Sequence, residues 1–156
     1  GAGSVADYCE GIRDILYNEG VANYNGGTPL DPVNAWYMMI SKMPDSQNDP
    51  DTYIAIVLTG GLEPNPKWSV DYPSIQCLIR GAKGGYNDAL AKAKEIKDVL
   101  LGFSSADVNG DRWTNINMIG DIANLGYDES NRPMFSVNFS LIICATPSGD
   151  SHRQSL

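Results

Sequence analysis

Between Thr52 and Phe103 the spacing of apolar side chains changes period once, and that change marks out the main elements. Thr52-Tyr-Ile-Ala-Ile-Val-Leu-Thr59 is rich in β-branched residues, which predicts a strand. In Pro73-Ser-Ile-Gln-Cys-Leu-Ile-Arg80, Ile75, Cys77 and Ile79 share one face and Leu78 lies on the other, which predicts a second strand. Gly81-Ala-Lys-Gly-Gly85 then breaks the chain. From Tyr86 the period lengthens to about 3.6. Tyr86, Leu90, Ala93, Ile96, Leu100 and Phe103 fall on one stripe of a long helix. Lys92, Lys94, Glu95, Lys97 and Asp98 occupy its remaining surface.

The flanking stretches are read the same way. Val5, Tyr8, Ile12 and Leu16 recur at helical spacing behind a Ser4-Val-Ala-Asp7 capping box. Residues 4–18 therefore read as a first helix, ended by Asn18-Glu-Gly20. Residues 20–32, with Asn25-Gly-Gly-Thr-Pro29 and Asp31-Pro32, read as a loop. Asn34 to Met43, containing Ala35-Trp-Tyr-Met-Met-Ile40, reads as a buried strand; a sticky partner surface is the alternative. Pro44 to Pro50 is a polar break, and Gly60 to Trp68 reads as a long turn-rich connection. Ser104 to Asp111 is polar and reads as a loop.

Trp113 to Leu125 partly alternates, with Ile116, Met118, Gly120 and Ile122 opposite Asn115, Asn117, Ile119 and Asp121. That pattern predicts a strand. Gly126 to Pro133 reads as a turn, and Met134 to Ala145 as the last strand. Thr146 to Leu156 reads as a flexible polar tail. The order is helix, three strands, helix, two strands. Without regular βα alternation, it predicts one α+β domain over residues 5–145. Its sheet, twisted and mixed or antiparallel, holds about four or five strands, with the N-terminal and long central helices packed on one face. No internal repeat and no linker divides the chain.

Composition narrows the function. A chain of 156 residues, 42% of them hydrophobic, buries a real core. No apolar run approaches the roughly 20 residues of a membrane helix, so no membrane partner is expected. Gly1-Ala-Gly-Ser4 reads as the scar of a cleaved expression tag, and no signal peptide is visible. The net charge of −8 disfavours tight nucleic-acid binding through a basic face. Three widely separated cysteines, Cys9, Cys77 and Cys144, argue against a disulfide framework and read as buried small hydrophobes.

Candidate chemistry is sparse. The one histidine, His152, falls in the polar tail, a poor place to hold a catalytic base or metal ligand. The cysteines lack the spacing of a thiolate metal site. Asp107-Val-Asn-Gly-Asp111 opens like a calcium loop, but Arg112 and Met118 stand where an EF-hand needs glycine and a bidentate glutamate. It reads as a polar turn. Gly81 to Gly85 joins a strand to a helix, as phosphate loops do, yet matches neither GxxxxGK[ST] nor GxGxxG. Sharp chain reversal explains its glycines. The carboxylates Asp7, Glu10, Asp14, Asp71, Asp121, Asp128 and Glu129 form no pairing that defines an acid/base site, and most read as solvated. No catalytic residue, cofactor or metal site emerges, which points towards an interaction or assembly role.

Three stretches resemble a known family. They are Pro73-Ser-Ile-Gln-Cys-Leu-Ile-Arg-Gly81, the helix Tyr86-x-x-Ala89-x-x-Lys92-Ala93-x-x-Ile96-x-x-x-Leu100, and Gly126-Tyr-Asp-Glu-x-x-Arg-Pro-Met-Phe-Ser-Val-Asn-Phe139. Together they resemble the tail terminator, or minor capsid and tail completion, proteins of long-tailed bacteriophages. The most specific segment is Asp128 to Phe139. The resemblance implies an α+β subunit of a ring, expected to be a hexamer, that caps the head-proximal end of the tail tube. It implies the tail tube protein and the head–tail connector as partners, with DNA passing through the lumen without tight binding. It implies a place at the head–tail junction of the virion, after assembly in the bacterial cytoplasm. The turn-rich stretches near 60–72 and 102–113 are then expected to form interfaces, through Leu62, Trp68, Ser104, Asp107, Asn109, Asp111 and Arg112. Two rival readings are a monomeric protein-binding module of phage origin and a small hydrolase with an unrecognised carboxylate site.

Overall fold

The computed structural model describes residues 5–24, 36–40, 43, 51–65, 70–103, 106–108 and 111–145. Helix α1 (Val5–Asn18) is followed by strands β1 (Asn23–Tyr24), β2 (Tyr37–Ile40), β3 (Tyr53–Asn65) and β4 (Val70–Arg80). Helix α2 (Tyr86–Leu101) precedes β5 (Ala106–Val108), β6 (Asp111–Tyr127) and β7 (Pro133–Ala145). The strands form one sheet in the order β1-β2-β3-β4-β7-β6-β5. β1, β2 and β3 run parallel, and every other neighbouring pair is antiparallel. This is the expected α+β class: a mixed sheet of five strands of four residues or more, with a two- or three-residue strand at each edge.

Both helices lie on one face, joined to the sheet by a single apolar cluster. Ile12 and Leu16 of α1 and Ala89, Ala93, Ile96 and Leu100 of α2 meet Ile54, Ile56, Ile75, Cys77, Ile79, Phe135, Val137, Phe139 and Leu141. The predicted stripe on α2 is shifted at its start. Ala89 is buried, whereas Tyr86 is exposed and Leu90 only half-buried. The cause is close approach at Gly81, where an added Cβ would sit 2.9 Å from Ala89 Cβ and 3.1 Å from Pro133 Cγ. Only small residues fit there, and Tyr86 instead lays its ring edge-on against Phe135, 5.2 Å between centroids.

Helix α1 ends as its sequence suggests. Gly20 takes φ +75, its N–H donates to Tyr17 O, and Val21 N–H donates to Leu16 O at 2.9 Å. That is a Schellman motif, closed by contact between the buried Leu16 and Val21. The capping box lies partly outside the described residues, as do Gly1 to Ser4, Asn34–Ala35, the 146–156 tail and His152.

Three connections turn out to be strand. The stretch from Gly60 continues β3 to Asn65, and β4 resumes at Val70, so the presumed long loop is mostly a hairpin. Gly60, at φ +107, sits in a bulge that lets pairing resume beyond it. Glycines and a proline hid this from a propensity reading. Asn23–Tyr24 and Ala106–Val108 likewise pair as β1 and β5. Val108 is partnered with Asp111, leaving Asn109-Gly110 between them, the dipeptide that two-residue hairpins favour. That signal was present in the sequence.

Candidate assembly surface

The four predicted interface residues that are described lie towards one end of the sheet, with β4 and β7 between Leu62 of β3 and the other three on β5 and β6. Leu62 pairs with Tyr72, and a few residues on, Asn65 pairs with Val70, Val70 with Cys144, Cys144 with Arg112, and Arg112 with Asp107. Asp111, the first residue of β6, faces Val108 and Ala145. Arg112 is exposed. Trp68, Ser104 and Asn109 lie outside the described residues. The register sets Asp107 opposite Arg112 rather than Asp111.

The opposite end holds a charged cluster that the sequence reading missed. Arg80 and Arg132 are both buried, at 1% and 6% exposure. The Arg132 guanidinium donates from Nε to Asp128 Oδ2 at 2.8 Å and from Nη1 to Asp51 Oδ1 at 3.1 Å. Arg80 Nε donates to the Asp51 carbonyl at 2.9 Å. Asp128 Oδ1 accepts from the amides of Ser130 and Arg132, shaping the turn between β6 and β7, where Asn131 adopts φ 65. Partial burial pushes the Asp128 carboxyl up. The amide, guanidinium and charge of Arg132, with the Ser130 amide, outweigh it and hold the carboxyl below its ordinary value. Asp128 is thus a clamp residue, not a solvated one. The Asp128-x-x-x-Arg132 spacing was the available signal.

The face of the sheet away from the helices is nearly free of charge. Register places Asn117, Ser140 and Ser74 in one row, and Ile119, Asn138, Gln76 and Val57 in the next. These side chains range from half-buried to exposed. On β6, Ile119, Leu125 and Tyr127 are 48%, 50% and 59% exposed, three of the five exposed large apolar residues described. Neither row carries a formal charge although the chain carries a net −8.

Enclosed chemistry is thin by comparison. A hollow of about 460 Å³ between the helices is lined by Ile15, Glu19, Asp98, Val99, Gly102 and Phe103. A second, of about 390 Å³, is bridged by Lys92, whose Nζ donates to Val21 O at 2.8 Å and to Glu95 Oε1 at 2.6 Å. The same ammonium lies 5.5 Å from the centre of the Trp36 ring. Lys92 is therefore committed to tying α2 to the sheet edge. Among the described residues no three His, Cys, Asp or Glu side chains converge as a metal site. Burial raises the Cys9 thiol to about 11 and the Cys77 thiol to about 12, which keeps both protonated and inert at neutral pH.

Comparison with known proteins identifies this architecture. Residues 16–144 match the family described as bacteriophage tail terminator protein. The chain belongs to the bacteriophage tail terminator family and has a structural role in the phage tail, as a component of the virion. Its fold is similar to that of a chain in the virion of a native gene transfer agent particle, with a TM-score of 0.62. That alignment covers 92% of this chain and 98% of the other at 10% identity. No curated protein matches the sequence.

Proposed function

We propose that this protein caps the head-proximal end of a phage tail tube as a ring, stops tube polymerisation and joins the tail to the head connector. Family membership across residues 16–144, a span that takes in α2 and nearly the whole sheet, is the observation that carries the reading. A hexamer is the expected ring. Its role is assembly rather than catalysis, with the tail tube protein and the connector as partners. It is made in the bacterial cytoplasm and ends at the head–tail junction.

Two physical features support this reading. A head-to-tail ring needs two different, complementary sides on each subunit, and the β1 and β5 sides of the sheet are unlike. Subunits of net charge −8 surrounding a lumen would repel phosphate, so that DNA slides through without sticking. We assign tube or connector contacts to the end bearing Leu62, Asp107, Asp111 and Arg112, together with Trp68, Ser104 and Asn109.

The test is electron microscopy of purified protein added to polymerising tail tubes of the phage that encodes it. Short tubes closed by a ring at one end are expected. Tubes of unchanged length with bare ends would overturn the proposal. Arg112→Glu and Trp68→Asp are expected to abolish joining to heads while leaving thermal unfolding unchanged; normal joining would remove these loops from the interface.

A further inference from the structure

The sheet has two open edges, and they are complementary. On one side, β5 covers only Asp111–Trp113 of β6. From Thr114 to Tyr127 no strand among the described residues pairs with the outer edge of β6. On the other side, β2 covers only Tyr53–Ile56 of β3. From Val57 to Asn65 the outer edge of β3 is likewise unpaired among the described residues. An unpaired edge presents a row of N–H and C=O groups that another strand can satisfy.

We propose that the outer edge of β6 pairs with the β3 overhang of a second copy of this chain, an inference that rests on the ring reading above. Strand polarity favours it. Three antiparallel steps separate β3 from β6, so the two run in opposite directions. Copies related by rotation about an axis running along the strands therefore bring them together antiparallel, the more stable ladder.

Position favours it too. The β3 overhang lies at the sheet end that holds Arg112, whereas the open part of β6 runs towards the clamped end. The two open stretches nevertheless overlap: through β4 and β7, Val57 lies level with Ile119 and Gly60 with Asn117, so the two windows meet at one height around a ring.

Sequence favours a second copy over indiscriminate pairing. Monomers commonly block an edge with charges, prolines or bulges. β6 has bulges between Trp113 and Asn115 and between Ile119 and Ala123. Between them Asn115-Ile-Asn-Met-Ile119 is regular and uncharged, and about the length of a typical strand. The facing stretch, Val57-Leu-Thr-Gly-Gly-Leu62, is uncharged as well and is interrupted once, by the bulge between Leu58 and Gly60. The bulges confine pairing to one window, and the half-exposed Ile119 supplies an apolar contact within it.

Paired cysteines test the assignment. In a Cys144→Ser background, Thr59→Cys is combined in turn with Asn115→Cys, Asn117→Cys and Ile119→Cys; all four positions are exposed. Mild oxidation of assembled protein is expected to give a ladder of disulfide-linked multimers for at least one pair and for none of the single variants. Separately, Ile119→Lys is expected to raise the concentration needed for ring formation at least tenfold in sedimentation, with thermal unfolding unchanged. Rings that form normally with Ile119→Lys and give no ladder overturn the proposal and leave the ring reading intact. Normal rings that fail to cap tubes assign the edge to the tube protein and also overturn it. A chain that never associates, alone or on tail tubes, overturns both.

Discussion

β7 and β6 are hydrogen-bonded neighbours, yet they are built to opposite specifications. β7 sends Phe135, Val137, Phe139, Leu141 and Ile143 into the core in strict alternation over its 13 residues. β6 spends 17 residues to cover the same span, absorbs the excess in bulges, and exposes Ile119, Leu125 and Tyr127. Burial fixes the register of β7, because a slip of one residue would turn five large side chains to the other face. Nothing comparable holds the outer half of β6. One strand is fixed along its length by the core, and the other, beyond Trp113 and Ile116, keeps an outer edge with no strand paired to it among the described residues.

Substitutions on the two strands should separate those roles. Phe139→Ala, at a fully buried site, is expected to cost about 3–5 kcal/mol in urea unfolding. Ile119→Ala on the neighbouring strand is expected to change stability by no more than about 0.5 kcal/mol. Similar losses at both sites would erase the contrast.

The clamp between the two strands comes next. Arg132→Ala removes charged hydrogen bonds to Asp128 and Asp51 and should cost roughly 1.5–3 kcal/mol. The pH dependence has a definite sign. Asp128 titrates lower in the folded chain than its ordinary 3.8, so its contribution is full at neutral pH and lost on acidification through that range. Asp128→Asn should therefore destabilise at pH 7 and flatten the acid limb of a stability–pH curve. An unchanged acid limb would show that the clamp is not charged.

Smaller effects sharpen the picture. Gly81→Ala sets a Cβ against Ala89, Gly85 O and Pro133, and is expected to cost about 1–3 kcal/mol. Gly120→Ala, in the β6 bulge at φ +72 with open space around it, should cost only about 1–2 kcal/mol, from backbone strain alone. Thiol labelling is the mildest probe. Half-exposed Cys144 should react in the native protein, while Cys9 and Cys77, buried and held protonated, should react only on unfolding.

Where apolar period and burial coincide, the sequence was legible. Ile75, Cys77 and Ile79, the run from Phe135 to Leu141, and both helices lie where their spacing put them. Legibility failed where the backbone, not the side chains, carries the structure. The extension of β3 past Gly60 and the short edge strands depend on pairing partners distant in the chain, which a local pattern does not contain. The Arg132 clamp was hidden for a related reason: Asp51 lies 81 residues away. Of the predicted interface residues, Leu62, Asp107, Asp111 and Arg112 proved to share one end of the sheet although 45 residues separate Leu62 from Asp107. The open edge of β6 had no signature beyond Gly120 and Gly126, whose positive φ marks two of its three bulges.

Amide hydrogen exchange, comparing the dilute subunit with protein assembled on tail tubes, probes the contrast between β6 and β7 most directly. Peptides spanning Asn115–Ile119 and Val57–Leu62 should gain protection on assembly, while peptides from Phe135–Leu141 remain slow throughout. Unchanged exchange in both edge segments of a capped tube would contradict the account.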